Sequence, residues 1–208
     1  MRFGRLGTRS AGDPAEAALS TAAASEPYVC PTLEKAVERS TKHGRPAVLT
    51  LGGADGPTIT FLAEFGAKLT IEEFEPPPVR DPDDEAPAKP FKFDFPSRGY
   101  DLILLWEWAD FFPKEALPEL GLELARISRP GATLLLLSRS SFDGKFDRPM
   151  RYKIHDERTV SRKPLPGASR PRFVHPTRTL ELALKRFSIS GIHLQRDQTR
   201  EILAVRKA

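Results

Sequence analysis

Apolar and polar positions fall along this chain in blocks whose period changes repeatedly, and the changes mark the elements. From Leu33 to Lys42 apolar residues recur at helical spacing, with Thr32 placed as an N-cap, Gly44 as the terminating residue and Pro46 just beyond. Ala47-Val48-Leu49-Thr50-Leu51 is a short apolar run that stops at Gly52-Gly53-Ala54-Asp55-Gly56. Pro57 then opens a second helical stretch, with Ile59, Phe61, Leu62 and Phe65 on its apolar side and Gly66 at its end. Lys68-Leu69-Thr70-Ile71-Glu72-Glu73 reads as a strand that finishes on acids. Strand, glycine turn, helix, strand is one βαβ unit, and such a unit implies a parallel pair.

The pattern fails between Phe74 and Pro90, where six prolines and a run of acids exclude both a helix and a central strand, so 74–90 is expected to be a loop. Phe91–Phe95 is a short alternating strand candidate. Tyr100–Trp106 is continuous and apolar, as a strand buried on both faces must be. Lys114–Ser128 is an amphipathic helix with Leu117, Leu120, Leu124 and Ile127 on one side. Arg129-Pro130-Gly131 breaks it, and Ala132–Ser138 is another buried strand. A basic, turn-rich stretch, 139–172, precedes a helix at Thr177–Phe187 and two closing strands, Ser188–Gln195 and Thr199–Arg206. This alternation predicts an α/β fold: a doubly wound, mostly parallel, Rossmann-like sheet in one domain over 26–208, behind a disordered tail, 1–25, that has no apolar stripe.

Composition narrows the class. With 39% hydrophobic residues the chain can build a core, and no run of apolar residues approaches the roughly 20 needed to span a membrane. One cysteine, Cys30, forbids an intrachain disulfide and fits a reducing, cytoplasmic setting. Arg2, Arg5 and Arg9 resemble the start of a transit peptide, but Asp13 and Glu16 interrupt it. The net charge of +4 hides a division: residues 1–138 hold 15 basic and 21 acidic side chains, residues 139–208 hold 17 and 7. A basic rim of that kind suits an anionic partner, RNA among them, or an acidic protein surface; solvated loops are the plain alternative. Arg139, Lys145, Arg148, Arg151 and Lys153, interleaved with Phe142, Phe146 and Tyr152, could track phosphates and stack bases, although Asp143, Asp147, Asp156 and Glu157 interrupt them.

Glycines between a strand and a helix let the backbone approach a ligand, while the helix N-terminus offers unpaired N–H groups. An acid at the end of the next strand is placed for ribose hydroxyls; here Glu73 lies 21 residues after Gly52, with Glu72 as its rival. The wider arrangement resembles the class I S-adenosylmethionine-dependent methyltransferases. Val48-Leu49-Thr50-Leu51-Gly52-Gly53-Ala54-Asp55-Gly56 stands for their glycine loop, and Phe65–Glu73 for their second strand. Tyr100-Asp101-Leu102-Ile103-Leu104-Leu105-Trp106 stands for their fourth strand, and Leu124–Leu134 for the turn into their fifth. The resemblance implies their fold, with an antiparallel last strand, and S-adenosylmethionine as cofactor. It implies Gly52, Gly53, Gly56 and Glu73 as cofactor-binding residues, Asp94 and Phe95 at the adenine, and Trp106 and Glu107 at the carboxyl edge of the sheet. Two positions depart from the pattern: Thr50 stands where an acid usually holds the methionine end, and Ala54 replaces the middle glycine.

No catalytic constellation is visible. The Asn/Asp-Pro-Pro-Tyr box of amino-group methyltransferases is replaced by Leu105-Trp106-Glu107-Trp108. The four histidines lack metal-ligand spacing, so no metal is expected; Tyr152 and His155 are either bases from the insertion or surface residues. Two functions remain. One is methyl transfer from S-adenosylmethionine to a small-molecule or protein acceptor; the other is a catalytically inactive methyltransferase-like module for binding or assembly in a protein or ribonucleoprotein complex.

Overall fold

The computed structural model describes residues 26–73, 92–167 and 169–208. The expected tail 1–25, the loop 74–90 and Phe91 lie outside the described residues. In chain order the elements are β1 (Tyr28–Val29), α1 (Pro31–Thr41), β2 (Ala47–Leu51), α2 (Gly56–Glu64), β3 (Lys68–Glu72), β4 (Tyr100–Leu105), α3 (Leu117–Ile127) and β5 (Ser128–Arg139). There follow β6 (Phe146–Asp147), β7 (Met150–Ile154), β8 (Thr159–Pro164), β9 (Arg170–Pro171), α4 (Thr177–Ala183), β10 (Phe187–Leu194) and β11 (Thr199–Arg206). Six strands form the main sheet in the order β10-β11-β5-β4-β2-β3. β3, β2, β4 and β5 run parallel, and β11 runs antiparallel to both of its neighbours. This is the expected doubly wound sheet, with the antiparallel last strand that the resemblance implies.

Because side chains alternate across a strand, each central strand feeds two cores. Leu49, Leu51, Ile103, Leu105, Leu134 and Leu136 pack on one face under α3 and α4. Val48, Leu102, Leu104, Leu135 and Leu137 pack on the other, with Leu33 and Val37 of α1 and Phe61 and Leu62 of α2. The continuous apolar runs of β2, β4 and β5 are therefore buried on both faces.

Four expectations need correction. Residues 92–95 form no strand: the Phe93 N–H is bound by Glu123, and the Arg126 guanidinium takes the Phe93 and Phe95 carbonyls, so α3 satisfies the backbone that a sheet neighbour would otherwise satisfy. β5 starts early, at Ser128, because a register shift beside Tyr100 accommodates Arg129-Pro130-Gly131 as part of the strand. Thr32 is not the N-cap of α1; Cys30 holds that position without a side-chain bond, and Glu201 of β11 reaches across to accept the Thr32 N–H at 3.1 Å. Finally, the stretch 139–172 is not merely turns. It contains β6 to β9, with β1, β8 and β7 making an antiparallel three-stranded sheet and β6 pairing with β9.

Candidate functional site

The glycine turn is built as a cradle. β2 ends at Leu51, and Gly52 (φ 118°) and Gly53 (φ 80°) both take the left-handed backbone that a side chain would strain. Asp55 caps α2, its Oδ1 accepting from the Thr58 N–H at 3.2 Å and from the Thr58 hydroxyl at 2.8 Å. Gly56, the first residue of α2, is exposed. The N–H groups of Gly52 and Gly53, however, both donate to the Glu72 carbonyl, at 3.0 and 2.9 Å. Donors that such a loop could offer a ligand are spent on closing the end of β3.

The space against the turn is filled by the chain itself. Trp106, just past β4, donates its indole N–H to Thr50 Oγ1 at 2.9 Å and stacks on Tyr152 of β7, with ring centroids 4.8 Å apart and planes 9° from parallel. Both rings are buried, 2% and 0% exposed. A Cβ on Gly52 would touch Trp106 Cβ and Cδ1 at 3.6 Å, while one on Gly53 would crowd the Arg151 Nε at 3.2 Å. Arg151 in turn binds Glu73, Nη2 to Oε1 at 2.9 Å. Further along β7, the Ile154 N–H donates to Thr58 Oγ1 at 2.9 Å. β7 thus crosses the glycine turn and the start of α2, and it engages the acid at the end of β3. Burial pushes the Tyr152 phenol well above its ordinary range, and the nearby Glu107 adds to the effect, so Tyr152 stays neutral.

Beside this plug lies an ionic cluster. Glu107 takes a left-handed backbone (φ 50°) and is buried, facing Arg172 at 3.0 Å, Arg162 at 3.2 Å and Arg139 at 3.6 Å. Arg172, whose side chain is 0% exposed, also binds Asp110 at 2.8 Å and Asp147. Asp110 further accepts from the Ser138 hydroxyl at 2.6 Å and the Arg139 N–H at 2.8 Å. Burial pushes the Asp110 carboxyl up to about 6 against the pull of Arg172, and Glu107 adds to the rise. Four arginines of the basic stretch, Arg139, Arg151, Arg162 and Arg172, are therefore ion-paired with the acids at the carboxyl edge of the sheet.

Of the eight residues expected at a cofactor, Gly52 lies against Trp106, Gly53 and Glu73 lie against Arg151, and Glu107 belongs to the ionic cluster. Asp94 is exposed, and Phe95 stacks on Phe93 in the core on the other face of the sheet from Trp106 and Tyr152. His155 sits exposed at the β7–β8 turn, its Nε2 2.8 Å from Ser161 Oγ. Cys30 is buried, and its thiol is pushed up by that burial and by Glu201. Among the described residues no three metal-ligating side chains cluster, and no helix is long and apolar enough to cross a membrane. Arg162 and Arg172 are the residues that sequence reasoning left without a role at this edge, while Arg151 and Tyr152, expected to meet phosphates, bases or a substrate, are instead turned onto Glu73 and Trp106. The alternation of Met150, Tyr152 and Ile154 was the available signal for β7.

The strand order, the glycine turn at its switch point and the antiparallel last strand define the class I methyltransferase fold, and solved structures agree. The chain is similar to an S-adenosylmethionine dependent methyltransferase from Mesorhizobium loti, at 14% identity and a TM-score of 0.55, over 85% of this chain and 96% of that one. It is also similar to the PH0226 protein of Pyrococcus horikoshii, at 14% identity and a TM-score of 0.52, over 85% and 88% of the two chains. No family model matches the sequence, and no curated protein sequence does. The left-handed backbone of Gly52 and Gly53 would let a ligand approach closely, but Trp106 and Arg151 already lie against these two glycines. In this fold a ligand lies outside the carboxyl ends of the strands, against the glycine turn and the helix N-terminus. Trp106, Arg151 and β7 lie against that turn, while Gly56 at the start of α2 stays open.

Proposed function

We propose that this protein is a methyltransferase-fold binding module that keeps its cofactor cradle closed with its own β7, and that it works through its surfaces rather than by methyl transfer. The observation that carries the reading is the Trp106–Tyr152 stack, buried over Gly52 and tied to Thr50. A methyl transfer site must present the sulfonium and an acceptor in line with each other. Two aromatic rings are buried against the cradle, and the Thr50 hydroxyl is used by the indole.

A second reading is a transferase that opens on binding. Glu73 favours it, because its side chain is 78% exposed and its pair with Arg151 is a weak tie of the surface kind. Calorimetry of the whole chain with S-adenosylmethionine and S-adenosylhomocysteine separates the two. The closed module gives no binding heat up to millimolar ligand. Micromolar binding of either compound, lost in Glu73→Ala, ends the closed-cradle reading, and methyl transfer from the bound S-adenosylmethionine to an acceptor would then be required of the second.

A further inference from the structure

We propose that a cleft at the amino-terminal edge of the sheet, at the far end of the strands from the glycine turn, binds a small phosphorylated anion. The cleft encloses about 260 Å³. Arg39, His43 and Arg45 wall it from the end of α1 and its connection to β2, and Asp101 and Arg129 wall it where β4 and β5 begin.

Its charges do not balance. The single carboxylate lining it, Asp101, is already engaged twice: its Oδ2 accepts from the Ala47 N–H at 2.8 Å and pairs with Arg129 Nη1 at 2.6 Å. Among the described residues Arg39, His43 and Arg45 have no acid within ion-pairing distance. The Arg45 side chain runs over Gly66, where any side chain would crowd it. The arginines at the opposite edge of the sheet contrast with these, each being matched by Glu73, Glu107, Asp110 or Asp147.

Unmatched guanidinium groups in a concave site recruit an anion, and their planar forks suit the paired oxygens of a phosphoryl group better than a point charge does. The volume falls just short of the roughly 300–1,000 Å³ of sites that enclose a whole drug-sized ligand. It therefore suits a phosphate or diphosphate head with the rest of the ligand outside. Nothing in this assignment depends on whether the glycine cradle is open or closed.

The test is calorimetry with inorganic pyrophosphate, and separately with a short single-stranded RNA, on the whole chain and two double variants. Arg39→Gln with Arg45→Gln removes the two unmatched guanidinium groups. Arg178→Gln with Lys185→Gln removes the same charge from the distant α4 region and serves as the control. Both pairs are exposed, and unchanged thermal unfolding without ligand verifies that each variant folds. Pyrophosphate should bind the parent chain, bind the first variant about tenfold more weakly or worse, and bind the control unchanged. Three results overturn the proposal: no pyrophosphate heat at millimolar concentration, an equal loss in the control, or RNA binding without pyrophosphate binding. The last would make the cleft part of a nucleic-acid surface.

Discussion

Thr50→Val probes the closure of the cradle without opening a cavity, because valine copies the shape of threonine and deletes only the hydroxyl. The Trp106 indole N–H then loses the oxygen that accepts it at 2.9 Å and is left buried with no partner. A buried donor stranded in this way costs about 1–3 kcal/mol. Trp106→Phe removes the donor instead; the Thr50 hydroxyl keeps its weaker contact with the Gly53 carbonyl at 3.4 Å, and the lost bulk of the indole adds its own cost. In the Trp106→Phe background, Thr50→Val should therefore cost almost nothing, giving a coupling of about 1–3 kcal/mol between the two positions. Urea denaturation of the four proteins, followed by far-UV circular dichroism, measures it. If Thr50→Val costs the same in both backgrounds to within about 0.3 kcal/mol, the indole is not bound to Thr50 and the plug argument fails.

Other parts of the structure make equally definite forecasts. Arg172→Leu leaves Glu107 and Asp110 buried without their shared cation and should destabilise the protein by about 3–5 kcal/mol; a loss under 1 kcal/mol in denaturant titration would contradict the burial of that cluster. In Gly121→Ala the new Cβ would lie 1.9 Å from the Ala183 carbonyl oxygen, so α3 and α4 must separate. The expected cost is about 1–3 kcal/mol or more, read as a fall in Tm. Asp110 has a folded-state pKa of about 6, above the 3.8 of its free form, so the native state holds a proton that the unfolded chain has released between those values. Stability from this group is present at the acid end and is lost as pH rises from about 4 to about 6. Asp110→Asn, which cannot titrate, should lack that decline when unfolding free energies are compared at pH 4 and pH 7; an identical pH dependence in the two proteins would refute the assignment.

The parts of the fold that the sequence made legible are those whose burial is two-sided and local. β2, β4 and the core of β5 are rich in leucine, isoleucine and valine on successive positions, as strands with a core on each side are. The turn at Gly52 and Gly53 was equally plain, since left-handed backbone at a strand end is written directly as glycine. What was not legible depends on partners far away in the chain. Thr32 is a good local cap, yet Glu201 does the work; Phe91–Phe95 alternates like a strand, yet Arg126 takes the carbonyls of Phe93 and Phe95. The basic stretch was misjudged for the same reason. Arg139, Arg162 and Arg172 look like solvated charge until the carboxylates of Glu107, Asp110 and Asp197 are brought to them by the folded sheet. Their charge also masked the alternation of Met150, Tyr152 and Ile154, which is the mark of β7.

The bond between Thr32 and Glu201 spans 169 residues, and β11, which carries Glu201, lies between β5 and β10 in the sheet. At the usual pace of translation, about 5–20 residues per second, α1 leaves the ribosome roughly ten to thirty seconds before the strand that caps it. During that interval Leu33 and Val37 have no finished core to enter, and β5 still lacks its outer neighbour. Folding of this domain is thus committed late, by its final hairpin, and contacts so distant along the chain make it slow. A stall in synthesis before residue 199 would hold α1 and β5 in that incomplete state.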